Sequence, residues 1–170
     1  AQGNIKNAFN TGNITVLNKN NATSQVGGIV GAASDNYGVT INNAYNLGTL
    51  RSFKDNNVVG AGNSTLGGII GHIQDENKGN NYINITNVYT TGNLYVDNGT
   101  IGSIYGNNTI NTRLNVENAY YIRPDENLVE KGYFTDLYDQ NNTNADKDNS
   151  NKPIAFGDKD KGSSYSYYDN

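Results

Sequence analysis

Apolar residues in this chain come in short groups separated by polar, turn-forming stretches. Val39-Thr40-Ile41, Tyr82-Ile83-Asn84-Ile85-Thr86 and Gly92-Asn93-Leu94-Tyr95-Val96 alternate or carry β-branched residues, the pattern of short strands. Nowhere does a 3.6-residue period persist convincingly for three turns, which counts against helix. Asn18-Lys19-Asn20-Asn21, Ser52-Phe53-Lys54-Asp55-Asn56-Asn57 and Asp75-Glu76-Asn77-Lys78-Gly79-Asn80-Asn81 read as loops between those groups. The pattern predicts an all-β chain.

The groups repeat. A glycine-bearing element occurs as Gln25-Val26-Gly27-Gly28-Ile29-Val30-Gly31, Thr65-Leu66-Gly67-Gly68-Ile69-Ile70-Gly71 and Thr100-Ile101-Gly102-Ser103-Ile104-Tyr105-Gly106. An aromatic element alternates with it: Asn7-Ala8-Phe9-Asn10-Thr11-Gly12, Asn43-Ala44-Tyr45-Asn46-Leu47-Gly48, Asn87-Val88-Tyr89-Thr90-Thr91-Gly92, and a half-copy, Asn118-Ala119-Tyr120. The aromatic copies are 36, 44 and 31 residues apart, a period that marks stacked repeats with length variation in loops. The expected fold is a parallel β-helix or β-solenoid of about three and a half coils over residues 1–122, each coil of two or three short strands. The motif stops near Pro124, so residues 123–140 read as an irregular cap and 141–170 as a polar Asn/Asp-rich tail or linker.

Stacking sets equivalent residues above one another. Phe9, Tyr45, Tyr89 and Tyr120 would form an aromatic ladder, and Asn7, Asn43, Asn87 and Asn118 an amide ladder. Gly12, Gly48 and Gly92 are expected at a bend of positive φ. The Gly-Gly segments would allow close backbone approach, with Ile29, Val30, Ile69, Ile70 and Ile104 in the core.

Composition narrows the function classes. Asn makes up about a fifth of the 170 residues, and Asn competes for the backbone in helices. The formal net charge is −4, which disfavours nucleic acid and anionic membrane surfaces as partners. Without Cys there are no disulfides or thiolate metal sites, and no apolar run is long enough for membrane insertion. The absence of Met points to a processed or excised segment of a longer protein.

The alternation of Asn-Ala-Tyr-x-x-Gly with Val/Leu-Gly-Gly-Ile-Val/Ile-Gly resembles the GLUG repeat of bacterial surface proteins, over Ile5 to about Tyr121. That repeat occurs in filamentous-haemagglutinin-like adhesins, autotransporter passengers and non-catalytic regions of some immunoglobulin A peptidases. The third copy departs at Ser103 and Tyr105, and Arg123 stands where the fourth glycine would be, so the chain resembles the C-terminal end of such an array. The resemblance implies an extracellular or cell-surface scaffold without cofactors.

No catalytic or metal constellation stands out. The single histidine, His72, has no nucleophile and acid beside it in the motif copies and reads as a surface or loop residue. Asp35 and Asp75 each follow a closing glycine by four residues, so stacking would bring them within glycosidase range; both read as turn residues too solvated for acid catalysis. Asp139-x-Asn141, Asp146-x-Asp148 and Asp158-x-Asp160 have calcium-like spacing but lack the later ligands of an EF-type loop. Asn141, in Asp139-x-Asn141-x-Thr143, is the candidate glycosylation acceptor. Tyrosines outside the ladder suit sugar rings and protein surfaces. The expected function is therefore a non-catalytic adhesin segment, a rigid stalk and contact surface for a host-cell or neighbouring-cell glycan or protein. The alternatives are a filament or surface-layer subunit that self-associates end to end and, less favoured, a glycan-cleaving β-helix enzyme.

Overall fold

The computed structural model describes residues 3–19, 22–54, 64–74, 81–97, 99–107 and 113–122, with short strands at 133–134 and 154–156. The chain is all-β, its strands pair in parallel, and the described residues contain no helix.

Each repeat contributes strands to the same sheets in the same order. The first supplies β1 (Gly3–Asn10), β2 (Ile14–Asn18), β3 (Gln25–Gly27) and β4 (Val30–Ser34); the second supplies β5 (Val39–Asn46), β6 (Leu50–Lys54), β7 (Ser64–Gly67) and β8 (Ile70–Gln74). Then follow β9 (Ile83–Thr90), β10 (Leu94–Val96), β11 (Gly99–Gly102) and β12 (Leu114–Ile122). A five-stranded sheet runs β1-β5-β9-β12-β14, where β14 is Ile154–Phe156. Sheets β10-β6-β2 and β13-β11-β7-β3, where β13 is Tyr133–Phe134, and the pair β4-β8 complete the set. The third repeat reaches the last of these only through a bridge from Tyr105 to Ile70. Four strand positions per repeat thus replace the two or three expected from the sequence. The bend at Gly28-Ile29 is short enough to hide the break between β3 and β4 in the residue pattern. After residue 123 the chain adds β13 beside β11 and β14 beside β12.

Two cores lie between the sheets. One packs Ile41, Ile85 and Val116 with Ala44, Val88, Ala119, Ile69, Ile70, Ile73 and Ile104; the other packs Leu50, Leu94 and Val96 against Val26, Leu66 and Ile101. Each fully buried branched side chain contributes ~1.5–3 kcal/mol. Ile5, Ala8, Ile29 and Val30 occupy the same columns in the first repeat and are only partly buried, because β1 to β4 are the terminal strands of their sheets.

The two sequence motifs interlock. A Cβ on Gly28 would stand 2.3 Å from the Gly68 carbonyl oxygen and 2.6 Å from Cγ of Asn46; one on Gly68 would meet the Ser103 oxygen at 2.1 Å and Thr90 Cγ2 at 2.6 Å. The second glycine is therefore the place where one motif lies on the other. Gly12, Gly48 and Gly92 correct the sequence reading, since none has positive φ. Gly48 is required by stacking: a Cβ there would lie 2.0 Å from the Gly12 carbonyl oxygen. The positive φ belongs to Asn7, Asn43, Asn87 and Asn118, at 55°, 56°, 54° and 49°.

Candidate functional site

The outer face of the five-stranded sheet carries the repeated polar and aromatic side chains in columns. Strand register aligns Asn4, Thr40, Asn84 and Asn115, and beside them Lys6, Asn42, Thr86 and Glu117. Alternation then breaks at the left-handed asparagines, and a third column aligns Phe9, Tyr45, Tyr89 and Tyr120. An asparagine can hold φ near +55° at lower cost than most residues because its short amide bonds locally. This bend angles the aromatic column away from the first two.

Side-chain bonds tie the columns along the stack. Asn115 Nδ2 donates to Asn84 Oδ1 at 2.8 Å, Asn84 Nδ2 to Thr40 Oγ1 at 3.5 Å, and Asn42 Nδ2 to Thr86 Oγ1 at 2.6 Å. At the bend, Asn43 Nδ2 donates to Asn7 Oδ1 at 3.2 Å and Asn118 Nδ2 to Asn87 Oδ1 at 2.9 Å. Phe9 stacks on Tyr45 with centroids 5.4 Å apart, and Tyr45 on Tyr89 at 4.9 Å, with interplanar angles of 11° and 9°. The faces of these rings are turned to one another, so the column offers ring edges and hydroxyls to solvent. Phe9 is the exception, 64% exposed at the end of the column.

Beside the first column opens a groove of about 520 Å³ lined by Gly3, Asn4, Gly38, Val39, Thr40, Asn81, Tyr82 and Asn84. Among the described residues its lining holds no charged side chain. Tyr82 is 52% exposed, and Asn81 Nδ2 donates to the Asn36 carbonyl at 3.0 Å, joining this turn to the one below.

The remaining tyrosines divide. Tyr37 is exposed like Tyr82, whereas Tyr105 and Tyr121 are buried and belong to the core. Burial pushes the Tyr105 phenol above its ordinary range. Arg51 lies 5.2 Å from the Tyr95 ring centroid, a cation–π contact that engages its face. Tyr138, Tyr165, Tyr167, Tyr168, the Tyr133 side chain, the acidic stretches of the tail and Asn141 lie outside the described residues.

Two readings of single residues change. His72 lies on β8, not in a loop; it is half-buried, and desolvation lowers its pKa from the ordinary 6.5. Asp35 does sit in a turn, but its side chain is fully buried, and Arg113 Nη2 donates to Oδ2 at 2.5 Å. That pair ties the turn after β4 to the start of β12; Asp75, the other proposed carboxylate, lies outside the described residues.

The sequence reading missed a second polar column. Asn10 Nδ2 donates to Asn46 Oδ1 at 2.8 Å and Asn46 Nδ2 to Thr90 Oγ1 at 3.4 Å, with Asn46 fully buried. Each asparagine also closes a turn on itself: Gly12 N donates to Asn10 Oδ1, and Gly48 N to Asn46 Oδ1. The Asn-x-Gly spacing is the signal for such a turn. Also missed was Asn18, which donates to Ser52 and Ser64 Oγ at 2.9 and 2.6 Å and accepts from Ser24, joining two sheets. Nothing marks that cluster in sequence, since its members come from separate strands and loops.

Among the described residues no group of three His, Cys, Asp or Glu side chains is placed to hold a metal ion, and no helix is long and apolar enough to cross a membrane. No family model, curated protein or solved structure matches the chain.

Proposed function

We propose that the chain is a non-catalytic segment of a secreted or cell-surface bacterial adhesin, its repeats wound as a parallel β-solenoid that serves as rigid stalk and contact surface. The observation that carries this reading is the in-register stacking of Asn7-Ala8-Phe9, Asn43-Ala44-Tyr45, Asn87-Val88-Tyr89 and Asn118-Ala119-Tyr120 across one sheet. Every repeated side chain is engaged in stacking or packing, and the variable residues fall in turns and along the outer face, where a partner has access. The Asn-Ala-Tyr and Gly-Gly-Ile motifs that resemble GLUG repeats support the surface location.

Antibodies against the chain, applied to intact and lysed cells of the source organism, test the location. Surface labelling removed by external protease is expected; labelling only after lysis would overturn it. Turnover of any polysaccharide or peptide in a purified-protein screen would overturn the non-catalytic assignment.

A second reading is end-to-end self-association, favoured by the in-register parallel pairing of the repeats, which another copy could continue strand by strand. Open strand edges template pairing with another chain. Sedimentation velocity across concentrations decides it: growing linear species support it, and a concentration-independent monomer removes it.

A further inference from the structure

We infer that the groove beside Tyr82 is a binding site for a neutral oligosaccharide, an inference that rests on the contact-surface reading and names the ligand class for one part of that surface. Three features of the groove point the same way.

The first is the absence of charge among the described residues of the lining. The lining offers amides and a hydroxyl from Asn4, Thr40, Asn81 and Asn84, with the apolar Val39 and the phenol of Tyr82. An anionic ligand such as a phosphate or nucleic acid would find no cation there to offset its desolvation. A cationic ligand would find no carboxylate. An apolar ligand would leave the amides unpaired, at a cost comparable to its burial. A sugar brings hydroxyls that both donate and accept, matching amide and hydroxyl side chains that do the same.

The second is how those groups are held. Asn84 Oδ1 accepts from Asn115, and Asn84 Nδ2 donates to Thr40 Oγ1, so a chain of side-chain bonds orients both residues before any ligand arrives. Thr40 accepts in that bond and keeps its own hydroxyl proton for a ligand. Preorganisation of this kind reduces the ordering cost of binding. Asn4, Thr40 and Asn84 belong to three neighbouring strands, so the same chemistry recurs every ~4.8 Å along the stack. A sugar chain likewise repeats one hydroxyl pattern from residue to residue.

The third is the shape. The half-exposed Tyr82 ring supplies an apolar wall with a polar tip, suited to the C–H face of a sugar. Gly3 sits in register with Val39, and a Cβ added to it would meet only Val39 Cγ2, at 3.8 Å. The space over Val39 is therefore open because position 3 has no side chain. The volume, about 520 Å³, lies within the ~300–1,000 Å³ range of small-molecule sites.

The test is calorimetric titration of the full chain with neutral hexasaccharides of glucose, mannose, N-acetylglucosamine and xylose, and with a galacturonic acid hexamer as the charged control. At least one neutral hexasaccharide is expected to bind with Kd of about 1 mM or tighter, and the acidic one is not. Tyr82→Ala removes the wall and Gly3→Val adds a branched side chain at a position with room for its Cβ; each is expected to weaken binding at least tenfold. Tyr37→Ala, equally exposed but outside the lining, is expected to leave it unchanged. Unaltered melting of the variants shows that they fold. Failure of every neutral hexasaccharide at that concentration, binding that survives both Tyr82→Ala and Gly3→Val, or preference for the acidic hexamer would each overturn the inference. Attachment of the labelled chain to cells, measured in parallel, separates the two readings. Attachment retained by Gly3→Val without oligosaccharide binding sinks the groove and spares the contact surface.

Discussion

Asn7, Asn43, Asn87 and Asn118 stand exposed at a bend of positive φ, bonded in two pairs along the outer surface, Asn43 to Asn7 and Asn118 to Asn87. Three residues further on, Asn10 and Asn46 turn inward, and Asn46 is fully buried, closing its own turn and bonding its neighbours above and below. The residue type is the same and the chain separation is three, yet the two columns do different physical work. The outer column is chosen for backbone conformation: asparagine tolerates the left-handed region, and its amide bonds compete with water. The inner column is chosen for satisfaction of polar groups: without it the Gly48 N–H would be buried unpaired. The outer column should therefore accept any residue that adopts the bend, and the inner one only a residue that replaces its hydrogen bonds.

The most damaging way to break the inner column is through the glycine lying on it. Gly28→Ala places a methyl 2.6 Å from Asn46 Cγ and 2.3 Å from the Gly68 oxygen, so the backbone must move. A loss of about 3 kcal/mol or more is expected by urea denaturation. Asn46→Ala comes next, because it strands the buried amide hydrogen of Gly48 and removes the donor to the Gly48 carbonyl, for about 2–3 kcal/mol by the same measurement.

The outer column is sharpened by a pair of variants. Asn43→Ala should cost about 1–2 kcal/mol, mainly because alanine resists φ of 56°. Asn43→Gly should cost distinctly less, since glycine takes that conformation freely. Equal losses would show that the side-chain bond to Asn7, and not the bend, decides the position. Tyr45→Leu, which removes two stacking contacts while keeping an apolar side chain, should cost about 1 kcal/mol.

The smallest effect is one of pH. Neither asparagine column holds a titratable group, so the cost of altering either should be flat between pH 8 and 5.5. His72 behaves differently. Its folded pKa lies below the ordinary 6.5, so the unfolded chain takes up the proton first, and stability falls as pH drops below about 6.5. His72→Gln should remove that component of the slope, read from denaturation midpoints across the same range. A slope that persists undiminished would place the titrating group elsewhere.

Much of the fold was legible because stacking repeats the same environment. Phe9, Tyr45 and Tyr89 could be placed together from spacing alone, since a stacked repeat must set like over like. The Gly-Gly elements were legible as sites of close approach for the same reason. Contacts between different parts of the repeat were not. Nothing in the string Gly28-Ile29-Val30 says that it rests on Asn46, eighteen residues later, or that Arg113 reaches back to Asp35. The misplaced positive φ has a local cause: glycine is the residue that permits it, and asparagine is the residue that takes it here, while Gly48 is needed for its missing Cβ. The groove was the least legible feature, because it depends on an absent side chain at Gly3 and on a turn, 81–82, that enters from another repeat.

By itself the sequence determined the periodicity, the all-β character, the register of the aromatic and outer asparagine columns, and the lack of cysteine. These follow from residue type and spacing, which a stacked repeat converts directly into position. Only the tertiary structure decided which side of a strand each polar residue faces, which glycines are needed for space, and which carboxylate is buried against an arginine. Those outcomes depend on packing between segments that share no motif, as where Gly28 lies on Asn46 and Arg113 reaches Asp35. The candidate binding groove belongs to this second class.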